Sequence, residues 1–249
     1  MKHLLLLCLS LGATKAFPQT ADSLVLAKDS SKFNYKALVI PAALVGYGVL
    51  GLESDQLKGF NTQIREEVTE DIDQKITIDD FSQYSPFASV YALNALGVKG
   101  KHDFKDRTIL LATSYIMMSS TVIALKSITK EERPDGSSKN SFPSGHTATA
   151  FMGAEFLWQE YKDKSIWYGV AGYAVATGTG LFRMYNNRHW LTDVAAGAGI
   201  GILSTKAAYW INPWLKEHIF GEKESGKVSS GFVPFYDGKH TGAGLVIRF

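Results

Sequence analysis

The sequence predicts an all-α helical bundle embedded in a membrane, with a short β-hairpin at its C-terminus. Three observations predict it. Apolar residues are gathered into blocks of helical length at 35–52, 84–98, 108–125, 165–182 and 194–211. Small residues recur inside the last two: Gly169, Gly172, Ala174, Gly178 and Gly180, then Ala195, Gly197, Gly199 and Gly201. Such spacing lets helix backbones approach closely in lipid. Polar islands rich in reactive side chains separate the later blocks. A tightly packed soluble helical core would use the same small residues and stands as the alternative.

The composition hides this segregation. The 249 residues are 45% hydrophobic and 20% charged, and the mean hydropathy of -0.04 is that of an ordinary soluble chain. A net charge of +2, with no basic run, excludes a nucleic-acid partner.

Taken in order, Met1-Lys2-His3, the apolar Leu4 to Leu11 and the small-residue pattern ending at Ala16 read as a signal peptide over 1–16. Its core is too short to cross a bilayer, which needs about 20 residues. Cys8, the single cysteine, lies inside it, so the mature chain has neither a disulfide nor a thiolate metal site. Residues 17–34 are a polar lead-in, and the helical domain is expected over 35–212. Within 53–82, Ile64, Val68 and Ile72 recur at helical spacing and predict an amphipathic surface helix. Asp71, Asp73, Asp79 and Asp80 nearby are expected on a solvated face rather than around a metal. His102, alone among Lys and Asp residues, is expected at the surface. Residues 128–142 read as a loop, residues 145–158 as a helix, and Pro213 as the end of the helical series. In the tail, 213–249, Asp237-Gly238 between two apolar runs predicts the hairpin turn.

Three islands carry chemistry. The first runs from Lys126 to Arg133-Pro134. Pro134 biases Arg133 to extended backbone, from which the guanidinium can turn inward. Its planar fork matches phosphate oxygens, and Lys126 adds a point charge. The second is Pro143-Ser144-Gly145-His146. Ser144 is a good helix cap, Gly145 lets the main chain come close to a ligand, and a helix N-terminus there favours an anion. His146 would stand beside that anion as a proton donor. The third runs from Arg183, in the loop before the last helix, to His189 and Asp193. Four residues apart, His189 and Asp193 share one helical face. A carboxylate on one ring nitrogen leaves the other as nucleophile or base. Arg188 either contacts substrate or faces solvent.

In this order and spacing the islands resemble the type 2 phosphatidic acid phosphatase superfamily, which also holds class A acid phosphatases and vanadium haloperoxidases. The pattern Lys-x6-Arg-Pro, Pro-Ser-Gly-His, then Arg-x5-His-x3-Asp is matched from Lys126 to Asp193. Phe182 stands where that family usually has Ser. The resemblance implies a helical bundle of that type and a phosphohistidine on His189, oriented by Asp193. His146 would protonate the leaving oxygen and then activate water. Lys126, Arg133, Ser144, Gly145 and Arg183 would bind the phosphate. It implies no metal and no cofactor.

The expected function is hydrolysis of a phosphate mono- or pyrophosphate ester on a lipid of the phosphatidate, undecaprenyl pyrophosphate or lipid A type. The expected place is the inner membrane, with the site facing the periplasm, because 84–98 is too short to count as a span. A soluble periplasmic acid phosphatase acting on small phosphate esters, a vanadium haloperoxidase and a non-catalytic lipid-binding protein are the alternatives.

Overall fold

The computed structural model describes residues 35–70, 77–218, 229–236 and 241–248. The expected signal peptide and lead-in (1–34), Asp71, Ile72 and Asp73, and the Asp237-Gly238 turn lie outside the described residues. A single 3-10 turn, Tyr35–Leu38, enters α1 (Val39–Glu53). Then follow α2 (Asp55–Thr69), α3 (Ile78–Ser82), α4 (Ser85–Ala95), α5 (Phe104–Thr129), α6 (Gly145–Tyr161), α7 (Ile166–Tyr185) and α8 (Leu191–His218). Further on, β1 (Ser229–Tyr236) and β2 (Thr241–Arg248) pair antiparallel, with Ser229 opposite Arg248 and Tyr236 opposite Thr241.

Local signals start these helices. Asp103 caps α5 by accepting from Asp106 N–H at 2.8 Å, and Ser165 caps α7 by accepting from Trp167 N–H at 3.3 Å. Pro86 sits in the first turn of α4, where its missing N–H costs nothing.

The bundle is built around α6, buried along nearly its whole length and in contact with α4, α5, α7 and α8. Ala148 and Met152 pack with Met118 and Val122 of α5 and Ile200 of α8. Phe156 and Tyr161 pack with Val90 and Leu110 at the other end. The small-residue prediction is realised unevenly. A Cβ at Gly201 would lie 2.3 Å from Ala148 O, and one at Gly199 2.5 Å from Pro41 O. At Gly172 it would meet Leu157 and Ala154 of α6, whereas at Gly178 it would meet nothing within 4 Å. Gly48 and Gly51 of α1 make the same kind of seam, against Ala196 and Thr192 of α8.

Two expectations are corrected. Pro213 does not end the helical series, because α8 continues through it to His218. A proline inside a helix costs about 3 kcal/mol, and here contacts hold the last turns. Lys216 pairs with Asp106 of α5, and the His218 ring stacks on Trp214 at 4.9 Å. His102 is not a free surface residue. Its Nδ1 lies 2.6 Å from Oε1 of the buried Glu160, an oxygen that also accepts from Tyr209 Oη at 2.6 Å.

Among the described residues, three helical stretches are long and apolar enough to cross a membrane: Tyr35–Glu53, Phe104–Thr129 and Leu191–His218. Large apolar side chains stand exposed on α1, α5 and α7, among them Ile40, Leu50, Ile116, Ile123, Trp167 and Leu181. At 11 residues α4 is about 16 Å long, half of a bilayer core.

Candidate active site

The three islands lie at the last turns of α5 and α7, the first turns of α6 and α8 and the loops between them, and hydrogen bonds stitch them together. Ser144 N–H donates to Asp193 O at 3.0 Å, tying the second island to the third. Lys126 Nζ donates to the carbonyls of Asn140 and Ser141, tying the first to the chain just before the second. Trp190 Nε1 donates to Glu132 O at 2.9 Å, tying the third to the first.

Backbone logic sets the third island. Arg183 lies in the last turn of α7 rather than in a loop, since the helix continues to Tyr185. It ends there because Asn187 takes a left-handed conformation (φ 58°), tolerated better by Asn than by most residues. Arg188 N–H then donates to Arg183 O at 3.0 Å and Asn187 N–H to Met184 O at 2.8 Å, a Schellman closure that turns the chain sharply. His189 falls in this turn, before α8, so it does not share a helical face with Asp193. The carboxylate is placed by a different device. Asp193 is third in α8 and accepts from the N–H of Trp190, the residue before the helix, at 2.9 Å. This is the returning half of a capping box.

His189 Nδ1 lies 3.6 Å from Asp193 Oδ2, beyond hydrogen-bond reach. Ser141 fills the gap: its hydroxyl donates to Asp193 Oδ2 at 2.5 Å and lies 3.4 Å from His189 Nδ1. Ser141, His189 and Asp193 are all buried, none more than 3% exposed. Ser141 was absent from the sequence-derived set; the one signal that could have found it is its place two residues before Pro143.

The second island opens α6. Ser144 is the N-cap residue, yet its hydroxyl bonds Thr147 Oγ1 at 2.9 Å rather than a backbone N–H. The helix start is pressed onto α8, where a Cβ at Gly197 would lie 2.5 Å from Ser144 O. In the first island, Arg133 N–H donates to Ser138 O at 3.0 Å, and Arg133 O accepts from Gly136 N–H at 2.9 Å. Arg188 reaches back to this loop, pairing with Asp135 Oδ2 at 2.9 Å, so it faces neither open solvent nor the cradle alone.

Of the acids expected on a solvated face, Asp79 of α3 is buried instead, while Asp80 beside it stays exposed. Asp79 is 1% exposed, accepting from Arg183 Nη1 at 2.5 Å and from Asn186 Nδ2 at 3.0 Å. Asp80 Oδ1 lies 2.9 Å from His146 Nε2 and 3.9 Å from Arg183 Nη1. At Asp79, tertiary pairing with the Arg183 guanidinium, 104 positions away, outweighs hydration. Asp79, Asp80 and His146 place three ligand-type atoms within 4.8 Å of one another; the positive charge they face is that of Arg183.

The electrostatics show how close the islands come. Burial, with Lys126 and Arg183 adding to it, holds the His189 imidazole down at about 4, against the pull of Asp193. Burial and Arg183 hold His146 below the usual histidine range, opposed by Asp80 and Asp79. Burial and the charges of Arg183 and Arg188 hold Arg133 below its usual range. Arg183 therefore acts on His146, His189 and Arg133 at once.

Two donors are left over. The Nε atoms of Arg133 and Arg183 are buried and have no hydrogen-bond partner among the described residues. A buried donor without an acceptor costs about 1–3 kcal/mol, a cost that an anion's oxygens would remove. The arrangement can hold a tetrahedral oxyanion, present a neutral imidazole to it and pass a proton from a second one.

A PAP2 superfamily profile matches residues 107–217. A lipid A 1-phosphatase of Porphyromonas gingivalis is 43% identical over 136 residues, 54% of this chain and 31% of that protein. The bacitracin transport permease protein BcrC of Bacillus licheniformis is 37% identical over 76 residues, 30% of this chain and 36% of that protein. The matched stretches thus span only 31% and 36% of these curated relatives. Among solved structures, a PAP2-type phosphatidylglycerolphosphate phosphatase of Bacillus subtilis superposes with a TM-score of 0.52 and 19% identity, over 72% of this chain and 98% of that one. That likeness is one of fold.

Proposed function

Residues 107–217 are a PAP2 superfamily domain, and on that premise we propose that the protein is a membrane phosphatase that hydrolyses a lipid phosphate ester through a phosphohistidine. The observation that carries the reading is the pair of unused buried guanidinium donors, Arg133 Nε and Arg183 Nε, beside a buried histidine. A scaffold that leaves such donors without protein acceptors is arranged for the oxygens of a ligand.

In this reading Lys126, Arg133, Arg183, the Ser144 hydroxyl and the Gly145 N–H hold the phosphoryl oxygens. His189 Nδ1 faces Ser141 and Asp193, which leaves Nε2 to attack phosphorus. The ring is neutral at physiological pH because burial holds its pKa near 4, so the lone pair is free. Asp193, through its charge and the Ser141 hydroxyl, balances the positive ring formed on attack. His146 gives its proton to the leaving oxygen and later takes one from the water that frees the phosphate. None of these steps requires a metal.

The lipid substrate is supported by the three stretches of spanning length and by the apolar side chains exposed on α1, α5 and α7. Within the phosphatidate, undecaprenyl pyrophosphate and lipid A types, the 43% identity to a lipid A 1-phosphatase favours a lipid A-type phosphate. The site sits where α5 ends and α6 begins, at one end of the bundle, and we assign that end to the periplasmic side. The short α4 supports this count of spans.

The test is chemical trapping. The full-length protein is mixed with a lipid substrate carrying labelled phosphate and quenched in alkali, where a phosphoramidate survives. Label should remain on the wild-type chain and be absent from His189→Ala, which should also release no phosphate. Phosphate release by His189→Ala at the wild-type rate would overturn the reading.

A further inference from the structure

α3 is only five residues long and lies outside the stretch matched by the superfamily profile, yet it is fastened to the site at several points. Ser82 Oγ lies 2.7 Å from Thr179 Oγ1 of α7, while at the C-cap of α3 itself Gln83 Nε2 donates to Asp80 O at 3.0 Å. Asp79 is locked between Arg183 and Asn186. These contacts leave the next carboxylate, Asp80, at 2.9 Å from His146 Nε2. The Asp80 side chain is 52% exposed.

We infer that Asp80 is the positioning residue for His146: by accepting a hydrogen bond from Nε2 it commits Nδ1 to the leaving oxygen. The inference rests on the reading of His146 as the proton donor. The site then holds two imidazole–carboxylate couples with different tasks. In one, the buried Asp193 and Ser141 address Nδ1 of His189 and free Nε2 to attack. In the other, the half-exposed Asp80 addresses Nε2 of His146 and frees Nδ1 to donate. The carboxylate also favours the charged imidazolium. Three charged groups act on this ring: Arg183 disfavours the charge, while Asp80 and Asp79 favour it.

The proton balance is simple. As His189 Nε2 bonds to phosphorus, the P–O bond breaks and its electron pair goes to the departing oxygen. The Nδ1 proton of His146 passes to that oxygen, leaving a neutral ring whose Nε2–H stays on Asp80. In the second step Nδ1 takes a proton from water as the new O–P bond forms and the P–N bond breaks.

The test compares two esters in the full chain in detergent: an alkyl phosphate, whose leaving oxygen needs a proton, and p-nitrophenyl phosphate, whose leaving oxygen does not. Asp80→Asn should lose about tenfold or more on the alkyl ester and stay within about twofold on the nitrophenyl ester. The alkaline limb of its kcat/KM profile should move down by about one pH unit. Asp80→Glu should restore both, and Asp80→Asn should add no loss in a His146→Gln background. Equal losses on the two esters, or an unmoved alkaline limb, would overturn the inference while leaving His146 as the acid. If His146→Gln itself fails to distinguish the esters, the acid assignment falls and this inference falls with it.

Discussion

Burial at His189 sets the pH behaviour of the site. Its imidazole titrates near 4 in the fold but near 6.5 in an unfolded chain. As pH falls through this window, the unfolded chain takes up the proton first, so the folded state loses stability between about pH 6.5 and 4. The thermal midpoint in detergent should therefore drop more for wild type than for His189→Gln on going from pH 7 to pH 4.5. His146, held below its ordinary range, must carry a proton to act as the acid proposed for it. The kcat/KM profile should be a bell with its acid limb near pH 4 and its alkaline limb below about 6.5. Ser141 makes a second prediction. Its hydroxyl is the hydrogen-bonded link between Asp193 and His189, so Ser141→Ala should lower kcat by about 10–100-fold. KM should change little, since Ser141 is not placed on the phosphoryl oxygens. The islands were legible in the sequence because reactive residue types cluster at fixed short spacings between apolar runs. Ser141 was not, because a serine in a polar loop resembles every other. Asp79 and Asp80 were not, because their partners Arg183 and His146 are brought to them only by the fold.

The elements owe their placement to side chains that are missing. Gly197 and Gly201 let α8 lie directly on the first turns of α6, which holds Ser144 N–H on Asp193 O. Adding one methyl at Gly197 forces it to 2.5 Å from Ser144 O. Gly197→Ala should cost about 1–3 kcal/mol of stability and lower turnover with it. Gly178→Ala, with nothing within 4 Å of the new atom, should raise stability by up to about 1 kcal/mol through helix propensity alone. Paired melts and assays of the two variants check both. The sequence shows the recurrence of glycine but not which glycines are seams, since that depends on which face of α7 meets a neighbour. Pro213 is the opposite case. Its local rule is to stop a helix, yet α8 runs on through it to His218, and beyond it Lys216 pairs with Asp106, 110 residues away.

At the scale of the whole molecule, the proposed site lies at one end of a bundle whose helices include stretches long and apolar enough to cross a membrane. The apolar blocks announce this directly, whereas the charge of the pocket is visible only in three dimensions. The sequence leads one to expect a positive cradle. The folded chain instead sets Asp79, Asp80 and Asp193 among Lys126, Arg133 and Arg183. Opposite charges at such spacing cancel within a Debye length of about 8–10 Å. The rate constant kcat/KM for a soluble anionic ester should vary by less than about threefold between 0.05 and 0.5 M salt, where an uncompensated cationic funnel would give a steep decline. A flat response has a physical meaning for how a headgroup arrives. With no long-range field to draw it in, the ester must be delivered by sideways diffusion in the leaflet. The pocket then recognises it by touch, when the last water leaves and the two idle guanidinium N–H groups meet oxygen.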